Sequence, residues 1–235
     1  MTLTIGVLSW GAHNTLINTL ESYKFRGLDK LADQRIIWFQ EMSPVDIEIA
    51  KAYDYEYAGS PDNIGIAGGY RELVERATGS LFLFLENDWE LIENPHIQIA
   101  VGAACLSTCA TDVVRYRHRL NPGHPLWTSQ FRGNEMSRPE HLLDSVHWEE
   151  HPEKFVTDYG YHPIESLPMG WYITDSRFAN WTNNPTMFRT SWIKNLSNRF
   201  GGADVERDLQ TWWQEQPQPF NIMQGDGLFT HNRIG

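Results

Sequence analysis

The first 87 residues alternate between short apolar runs and amphipathic segments, and this alternation restricts the fold more than any other feature. Four apolar runs are predicted to be β-strands: residues 3–10, 34–41, 54–60 and 80–87. Three segments between them have apolar residues at helical spacing: residues 14–25, 43–53 and 67–78. Strands and helices in this order predict an α/β fold with a mostly parallel, doubly wound sheet and helices on both faces.

The ends of these elements carry polar residues that suggest caps and a site. Asn14 is predicted to cap the first helix, and Ser43, followed by Pro44, to cap the second. The fourth strand, within "LFLFLENDWE", ends in Glu86 and Asp88. Ligands of open α/β sheets bind beyond the carboxyl ends of the strands. A solvated acidic turn is the plain alternative, but the topology predicts that these carboxylates face a ligand.

The second half is less regular. Four segments are predicted there: a helix over 96–110, a strand over 111–120, a strand passing into a helix over 183–195, and a helix over 203–216. Residues 121–170 have no assignable pattern. Because no repeat or linker is evident, the chain is predicted to be a single domain spanning 1–235, with a first half at 1–93 and a second at 94–235.

The formal net charge of −11 argues against nucleic acid and anionic membranes as partners, since both would repel the chain. No apolar run approaches the 18 residues of a membrane span, and the N-terminus lacks the charged start of a signal peptide. These observations predict a soluble cytoplasmic protein, or one domain of a larger chain. Cys105 and Cys109 are the two cysteines and are predicted to be buried free thiols on a helix.

One phrase of the sequence combines several signals without a gap. From Asn63 the chain reads Asn-x-Gly-x-x-Gly-Gly, then Ala77 and Gly79, then an apolar strand that ends in acids at Asp88. The glycines alone would fit a turn into a helix with no ligand. The whole phrase resembles the nucleotide-sugar half of the inverting family 2 type of GT-A glycosyltransferases. Residues 183–235 resemble the acceptor side of that family more loosely.

The resemblance implies a GT-A fold, which is a Rossmann-like nucleotide-diphospho-sugar transferase fold. It implies a glycosyltransferase that moves a sugar, with inversion, from a UDP-, dTDP- or GDP-linked donor to a hydroxyl of a glycan acceptor. Mn²⁺ or Mg²⁺ is the implied cofactor. The first half, 1–93, would bind the nucleotide sugar, and the second half, 94–235, the acceptor.

The resemblance also implies roles for individual residues. Asp88 would be the metal ligand, with His231 as a second ligand near the C-terminus. His231 also fits a frayed tail, and Asp226 could take its place. The implied donor-binding residues are Ser9, Trp10, Glu41, Asn63, Gly65, Gly69, Arg71, Glu86 and Asn87. Two of these depart from the family pattern, because Glu86 replaces the first Asp of the acidic triplet and Glu41 stands in place of an Asp pair. A carboxylate at Glu41 can accept a hydrogen bond from the imide N–H of uracil or thymine.

The family also requires a base near the acceptor, and "GGADVERDLQTWW" matches the segment that supplies it. Asp204 aligns best and Glu206 is the second candidate, although Asp204 is also a suitable helix N-cap. Asn184 and Arg189 are the implied acceptor-binding residues. Alternating arginines in 111–120 are typical of a solvated strand face, or could contact a diphosphate.

Two other functions remain open. A sugar-nucleotide pyrophosphorylase uses a related sheet, but its first loop is glycine-rich and basic, whereas "SWGAHNT" contains one Gly and neither Lys nor Arg. A non-catalytic carbohydrate-binding protein would account for the ten Trp residues without a metal. A Rossmann dehydrogenase fits poorly, because its glycine motif would follow the first strand and not the third.

Overall fold

A computed structural model describes residues 1–121, 123–124, 162–167, 170–201 and 205–232. Within these ranges eleven strands form one sheet: β1 (Leu3–Trp10), β2 (Gln34–Gln40), β3 (Glu56–Gly59), β4 (Leu81–Glu86), β5 (Trp89–Leu91), β6 (Val113–Arg117), β7 (Gly123–His124), β8 (His162–Pro163), β9 (Tyr172–Asp175), β10 (Thr186–Arg189) and β11 (Asn221–Asn232). Six α-helices accompany it: α1 (His13–Arg26), α2 (Pro44–Ala52), α3 (Gly65–Arg76), α4 (Pro95–Ser107), α5 (Thr190–Ser197) and α6 (Val205–Gln214).

The strand order is β3-β2-β1-β4-β10-β6-β11-β9-β8, with β5 and β7 paired to β11. Strands β3, β2, β1 and β4 are parallel neighbours. Strand β10 is antiparallel to both β4 and β6, and β11 is parallel to β6. The predicted mostly parallel sheet is therefore confirmed, and the carboxyl ends of β1, β2, β4 and β6 meet at one edge.

The central strands are buried on both faces, as their continuous apolar sequence predicts. In β4, Leu81, Leu83 and Leu85 pack in one core together with residues of α1, α2 and α4. Phe82 and Phe84 point the opposite way and pack with residues of α3, α5 and α6. Because successive side chains of a strand alternate between faces, one strand contributes to both cores. The prediction of helices on both faces is confirmed.

The helix starts of the first half agree only in part with the sequence predictions. Ser43 caps α2 in a full capping box with Asp46, and Pro44 is the first helical residue, as predicted. Asn14 is not a cap, because α1 begins at His13 after Ala12, whose φ of 48° is left-handed, with no side-chain cap bond. Helix α3 begins earlier than predicted, because Asn63 accepts a hydrogen bond from the Gly65 N–H at 2.8 Å and starts the turn there.

In the second half, several predicted segments exist with different ends. Helix α4 ends at Ser107 because Cys109 has a left-handed φ of 58°. Cys109 is therefore exposed and outside the helix, while Cys105 is partly buried within it, so the prediction of two buried thiols is wrong. The strand-to-helix passage is confirmed as β10 and α5. Strand β11 was not predicted, since Gly225 and Gly227 interrupt its apolar pattern.

Most of the described tryptophans belong to the core. Trp181 and Trp213 are buried in the core beside α3, α5 and α6, with ring centroids 5.3 Å apart. Trp10 differs, because 59% of its surface is exposed. None of the helices in the described ranges has the length and apolarity that a membrane span requires.

Candidate functional site

A cleft of about 460 Å³ lies at the carboxyl ends of β1, β2 and β4, and we call it the first cleft. Its lining comes from these strand ends and from the segments that follow them: Leu8, Trp10, Ala12, Thr15, Gln40, Asn63, Ile66, Glu86, Asn87 and Asp88. The position agrees with the rule that open α/β sheets bind ligands beyond their strand carboxyl ends. Four predicted donor-binding residues, Trp10, Asn63, Glu86 and Asn87, therefore meet in one space.

A second cleft of about 220 Å³ adjoins the first. Its lining adds residues from the second half of the chain: Ile66, Glu86, Asp88, Trp89, Arg117, Asn183, Asn184, Glu206 and His231. Ile66, Glu86 and Asp88 belong to both linings, so the two clefts meet at the acidic turn after β4. A ligand in the first cleft and a ligand in the second would therefore both border the Glu86–Asp88 turn.

Helix α1 holds this acidic turn in place. The Thr19 hydroxyl donates to the Asn87 carbonyl at 2.8 Å, and the buried Tyr23 hydroxyl donates to the Trp89 carbonyl at 2.7 Å. Burial, and then the nearby Asp88 carboxylate, raise the pKa of the Tyr23 phenol well above its ordinary value. Tyr23 therefore stays protonated and continues to donate. The turn is fixed by side chains outside both clefts.

Asp88 meets His231, although the two residues lie far apart in the sequence. Strand β11 pairs with β5 so that His231 lies opposite Trp89, and the Asn232 N–H donates to the Asp88 carbonyl at 2.7 Å. The Asp88 Oδ2 and the His231 Nε2 are 2.9 Å apart, with both side chains mostly buried. The other carboxylate oxygen, Oδ1, is buried without a hydrogen-bond partner among the described residues.

This pair has the properties of a partial site for a divalent cation. Across the described ranges, no group of three or more His, Cys, Asp or Glu side chains could hold an ion alone. Mg²⁺ is, however, commonly bound by one or two carboxylates, with phosphate oxygens and water completing an octahedron of ligands at about 2.1 Å. Adjacent ligands of such an octahedron are about 3 Å apart. The separation in the Asp88–His231 pair and the unpartnered Oδ1 both fit this arrangement.

The amino end of α3 borders both clefts and is held by a glutamine that the sequence analysis did not select. The buried Gln40 accepts a hydrogen bond from the Ile64 N–H at 3.0 Å and donates to the Gly65 carbonyl at 2.7 Å. Gly65 has a φ of 75°, which favours glycine, while a Cβ added there would have no neighbouring atom within 4 Å. Gly65 therefore serves the backbone turn, and Gln40 ties that turn to β2.

Gly69 was predicted to bind the donor, but in the structure it allows α3 to pack closely against the sheet. A Cβ added there would lie 2.5 Å from the Leu8 Cδ1 and 2.8 Å from the Gln40 Nε2. We expect Gly69→Ala to destabilise the fold by roughly 1–3 kcal/mol, because overpacking outweighs the gain in helix propensity. Denaturant unfolding measures this change. Gly68→Ala is the matched control, since the three atoms nearest its Cβ all belong to the exposed Ile64 side chain, which can move into solvent. Equal stability of the two variants would contradict the packing argument.

The second cleft contains the predicted Glu206 and Asn184. Glu206, in α6, accepts hydrogen bonds through Oε1 from the Thr182 hydroxyl at 3.0 Å and from the Asn183 N–H at 2.7 Å. These bonds orient the carboxylate beside the cleft that Asn183 and Asn184 line. The neighbouring Asp204 lies outside the described residues. Of the two predicted catalytic carboxylates, Glu206 is the one whose position is seen.

The prediction of a solvated arginine face on the sixth strand is wrong. Arg115 and Arg117 are buried, with exposed fractions of 1% and 3%. Arg117 lines the second cleft and lies over the Trp89 ring, 5.5 Å from its centroid. Arg119 follows the end of β6 and pairs with Asp226 at 2.5 Å. The alternation was visible in the sequence. The burial was not, because the Arg115 guanidinium donates to the Asn180 carbonyl and Arg117 shares the second cleft with Asn183 and Glu206, all distant in the chain.

The remaining predicted site residues lie outside both linings. Ser9 is buried, and Glu41 lies at the rim, where its Oε2 accepts a hydrogen bond from the Trp10 indole at 2.8 Å. Arg71 donates to the Phe200 carbonyl at 2.8 Å. Arg189 pairs with Leu81, at the amino end of β4, and binds Asp112 at 2.6 Å. Arg189 is thus at the edge of the sheet opposite the clefts.

Comparison with solved structures assigns the fold. The chain superimposes on S. aureus TarS 1-349 in complex with UDP-GlcNAc with a TM-score of 0.61, covering 100% of this chain and 60% of that one at 12% identity. The chain has the GT-A fold. A structure described as a mycobacterial protein gives a TM-score of 0.57 at 15% identity, covering 100% of this chain and 68% of that chain.

A mannosyltransferase, PcManGT from Pyrobaculum calidifontis in complex with GDP-Man and Mn²⁺, gives a TM-score of 0.50 at 10% identity, covering 87% of this chain and 48% of that one. The chain thus spans 60% of TarS 1-349 and about half of the mannosyltransferase. No protein-family model matches the sequence, and no similar curated protein is found. The likeness establishes the GT-A fold.

Proposed function

We propose that this GT-A chain is a metal-dependent glycosyltransferase that moves a sugar from a nucleoside diphosphate sugar to a hydroxyl of a glycan acceptor, with inversion. The observation that carries the proposal is the Asp88–His231 pair, where the two clefts meet. The first cleft is proposed to hold the donor and the second the acceptor, which keeps the division into residues 1–93 and 94–235. Uracil, thymine and guanine nucleotides all remain candidates for the donor.

In this proposal Asp88 and His231 would hold Mn²⁺ or Mg²⁺ beside the donor site. The ion would supply Lewis-acid stabilisation of the negative charge on the leaving diphosphate. The imidazole of His231 would supply a nitrogen ligand to such an ion. Glu86 borders both clefts, which suits a contact with the ribose or with the transferred sugar.

Glu206 is proposed to act as the general base, with Asp204 as the alternative. The acceptor hydroxyl oxygen forms a bond to the anomeric carbon, the bond from that carbon to the phosphate oxygen breaks, and the hydroxyl proton passes to the carboxylate. The Thr182 hydroxyl and the Asn183 N–H both donate to the Glu206 Oε1, so the carboxylate has a defined orientation. Oriented carboxylates of this kind are suited to general-base catalysis.

A thermal-shift screen tests the proposed donor class. We expect UDP-, dTDP- or GDP-sugars to stabilise the fold in the presence of Mn²⁺, by about 2.7 kcal/mol at a hundredfold excess over Kd. For a chain of this size this corresponds to a rise in Tm of roughly 5–10 °C. EDTA should remove most of the shift. If glycans bind equally well with and without EDTA, and no nucleotide sugar raises the Tm, the protein is instead a non-catalytic carbohydrate-binding protein.

A further inference from the structure

Trp10 and Glu41 form a bridge between two loops at the rim of the first cleft. Trp10 is the last residue of β1 and pairs in register with Gln40, the last residue of β2, so Glu41 follows directly beside it. The Trp10 indole Nε1–H donates to the Glu41 Oε2 at 2.8 Å. The bridge therefore links the last residue of β1 to the first residue beyond β2, which is the adjacent parallel strand.

The Trp10 side chain is placed to offer a ring face to a ligand. It lines the first cleft, yet 59% of its surface is exposed, unlike the buried Trp38 on the neighbouring strand. An exposed indole has several accessible rotamers. When a ligand stacks on it, one rotamer must be fixed, and this loss of entropy weakens the binding free energy. A hydrogen bond from the indole N–H to a fixed acceptor reduces that cost before the ligand arrives.

Glu41 is itself held in an unusual conformation. Its φ of 53° is left-handed, a region unfavourable for residues other than glycine. Immediately after it, the Met42 N–H donates to the Ser60 carbonyl at 2.9 Å, which fixes the backbone. Glu41 does not line the first cleft, whereas its partner Trp10 does. The Glu41 carboxylate thus holds the indole through a hydrogen bond while lying outside the lining of the first cleft.

We propose that Glu41 is a positioning residue that acts on the donor through Trp10, by holding the indole as a stacking platform for the nucleobase. This inference rests on the proposed function and deepens it. It replaces the expectation that the Glu41 carboxylate accepts a hydrogen bond from the base itself. Because every nucleobase has an aromatic face, a platform of this kind contributes affinity without strong selection among bases.

A double-mutant cycle tests this relation by titration calorimetry with UDP and with GDP, each in Mn²⁺. We expect Glu41→Ala to raise the Kd roughly three- to tenfold in the wild-type background, because the platform loses its preorganisation. In a Trp10→Phe background, which keeps a ring but has no indole N–H, the same substitution should change the Kd less than twofold. Glu41→Gln should restore most of the affinity, since its amide oxygen accepts the indole N–H at the same net charge as the Ala variant.

Two controls separate the platform from general effects of charge and folding. Inorganic pyrophosphate with Mn²⁺ has no base, so its Kd should be the same for wild type, Glu41→Ala and Trp10→Ala. Trp10→Ala should weaken UDP binding by roughly tenfold, because stacking on the base is lost. Glu48→Ala removes an exposed carboxylate from the adjacent α2 and should leave all of these affinities unchanged.

The outcomes distinguish the inference from the function on which it rests. If wild-type protein binds neither UDP nor GDP with Mn²⁺, the proposed function and the inference both fail. If the nucleotides bind and Glu41→Ala weakens them equally in the wild-type and Trp10→Phe backgrounds, Glu41 contacts the base directly and only the inference fails. Wild-type affinity in Glu41→Ala would likewise overturn the inference alone.

Discussion

Replacing Glu206 by Gln is expected to lower kcat by roughly 10²- to 10⁴-fold, the usual contribution of a general base, with little change in donor affinity. Gln keeps an oxygen that can accept the hydrogen bonds from the Thr182 hydroxyl and the Asn183 N–H. The loop that contains Thr182 and Asn183 should therefore stay in place. The fall in kcat should come from the missing proton acceptor. Steady-state kinetics with the nucleotide sugar found by the thermal-shift screen, together with donor Kd, measure both quantities.

Glu215→Gln is the matched control for this variant, because Glu215 is exposed just beyond the end of the same helix. It should retain wild-type kcat and stability. Asp204→Asn decides between the two candidate bases. Wild-type turnover in Glu206→Gln, combined with collapse in Asp204→Asn, would contradict the assignment to Glu206 and move the role to Asp204.

Replacing Asp88 by Asn should remove metal-dependent donor binding. The neutral amide provides no charge to hold a divalent cation beside the diphosphate, and the Lewis-acid contribution of such an ion amounts to several kcal/mol. We therefore expect kcat/KM to fall by about 10²-fold or more. Wild-type enzyme in EDTA should show the same defect, and addition of Mn²⁺ should rescue the wild type but not the variant.

Asp62→Asn removes an equal charge from the exposed loop before α3 and serves as the control, since Asp62 does not line either cleft. It should respond to EDTA and Mn²⁺ as the wild type does. Full turnover of Asp88→Asn with Mn²⁺ present would show that the carboxylate has no part in the reaction. Full turnover of the wild type in EDTA would remove the metal from the proposal.

The first half of the fold could be predicted from sequence because its signals are local. Strand β4 is an unbroken apolar run, and the capping box at Ser43 lies within four residues, so neighbours in the chain define both. The rim of the first cleft follows from the same topology, because strand ends determine where Trp10, Glu86 and Asp88 lie. Gln40 was not predicted as a site residue because its role is not local. Its side chain binds two backbone groups at the start of α3, more than twenty residues away.

The second half could be predicted less well because its order depends on contacts between distant segments. Strand β10 enters the sheet antiparallel between β4 and β6, and no local pattern specifies that insertion. The burial of Arg117 and the opposite-edge position of Arg189 follow from this register. Without it, Arg189 was predicted to bind the acceptor, and Arg117 was predicted to lie on a solvated strand face or to contact a diphosphate. His231 was selected through resemblance alone, and its approach to Asp88 depends on β11 pairing with β5.

The central claim is that Asp88 and His231 together hold a divalent ion against a nucleoside diphosphate. The most direct measurement is a crystal structure of the protein with UDP or GDP and Mn²⁺, with diffraction collected at the manganese absorption edge. We predict one anomalous peak within roughly 2.0–2.3 Å of an Asp88 carboxylate oxygen and of the His231 Nε2, bridged to the diphosphate. A bound nucleotide with no peak there, or with the Asp88 carboxylate turned away from the diphosphate, would contradict the claim.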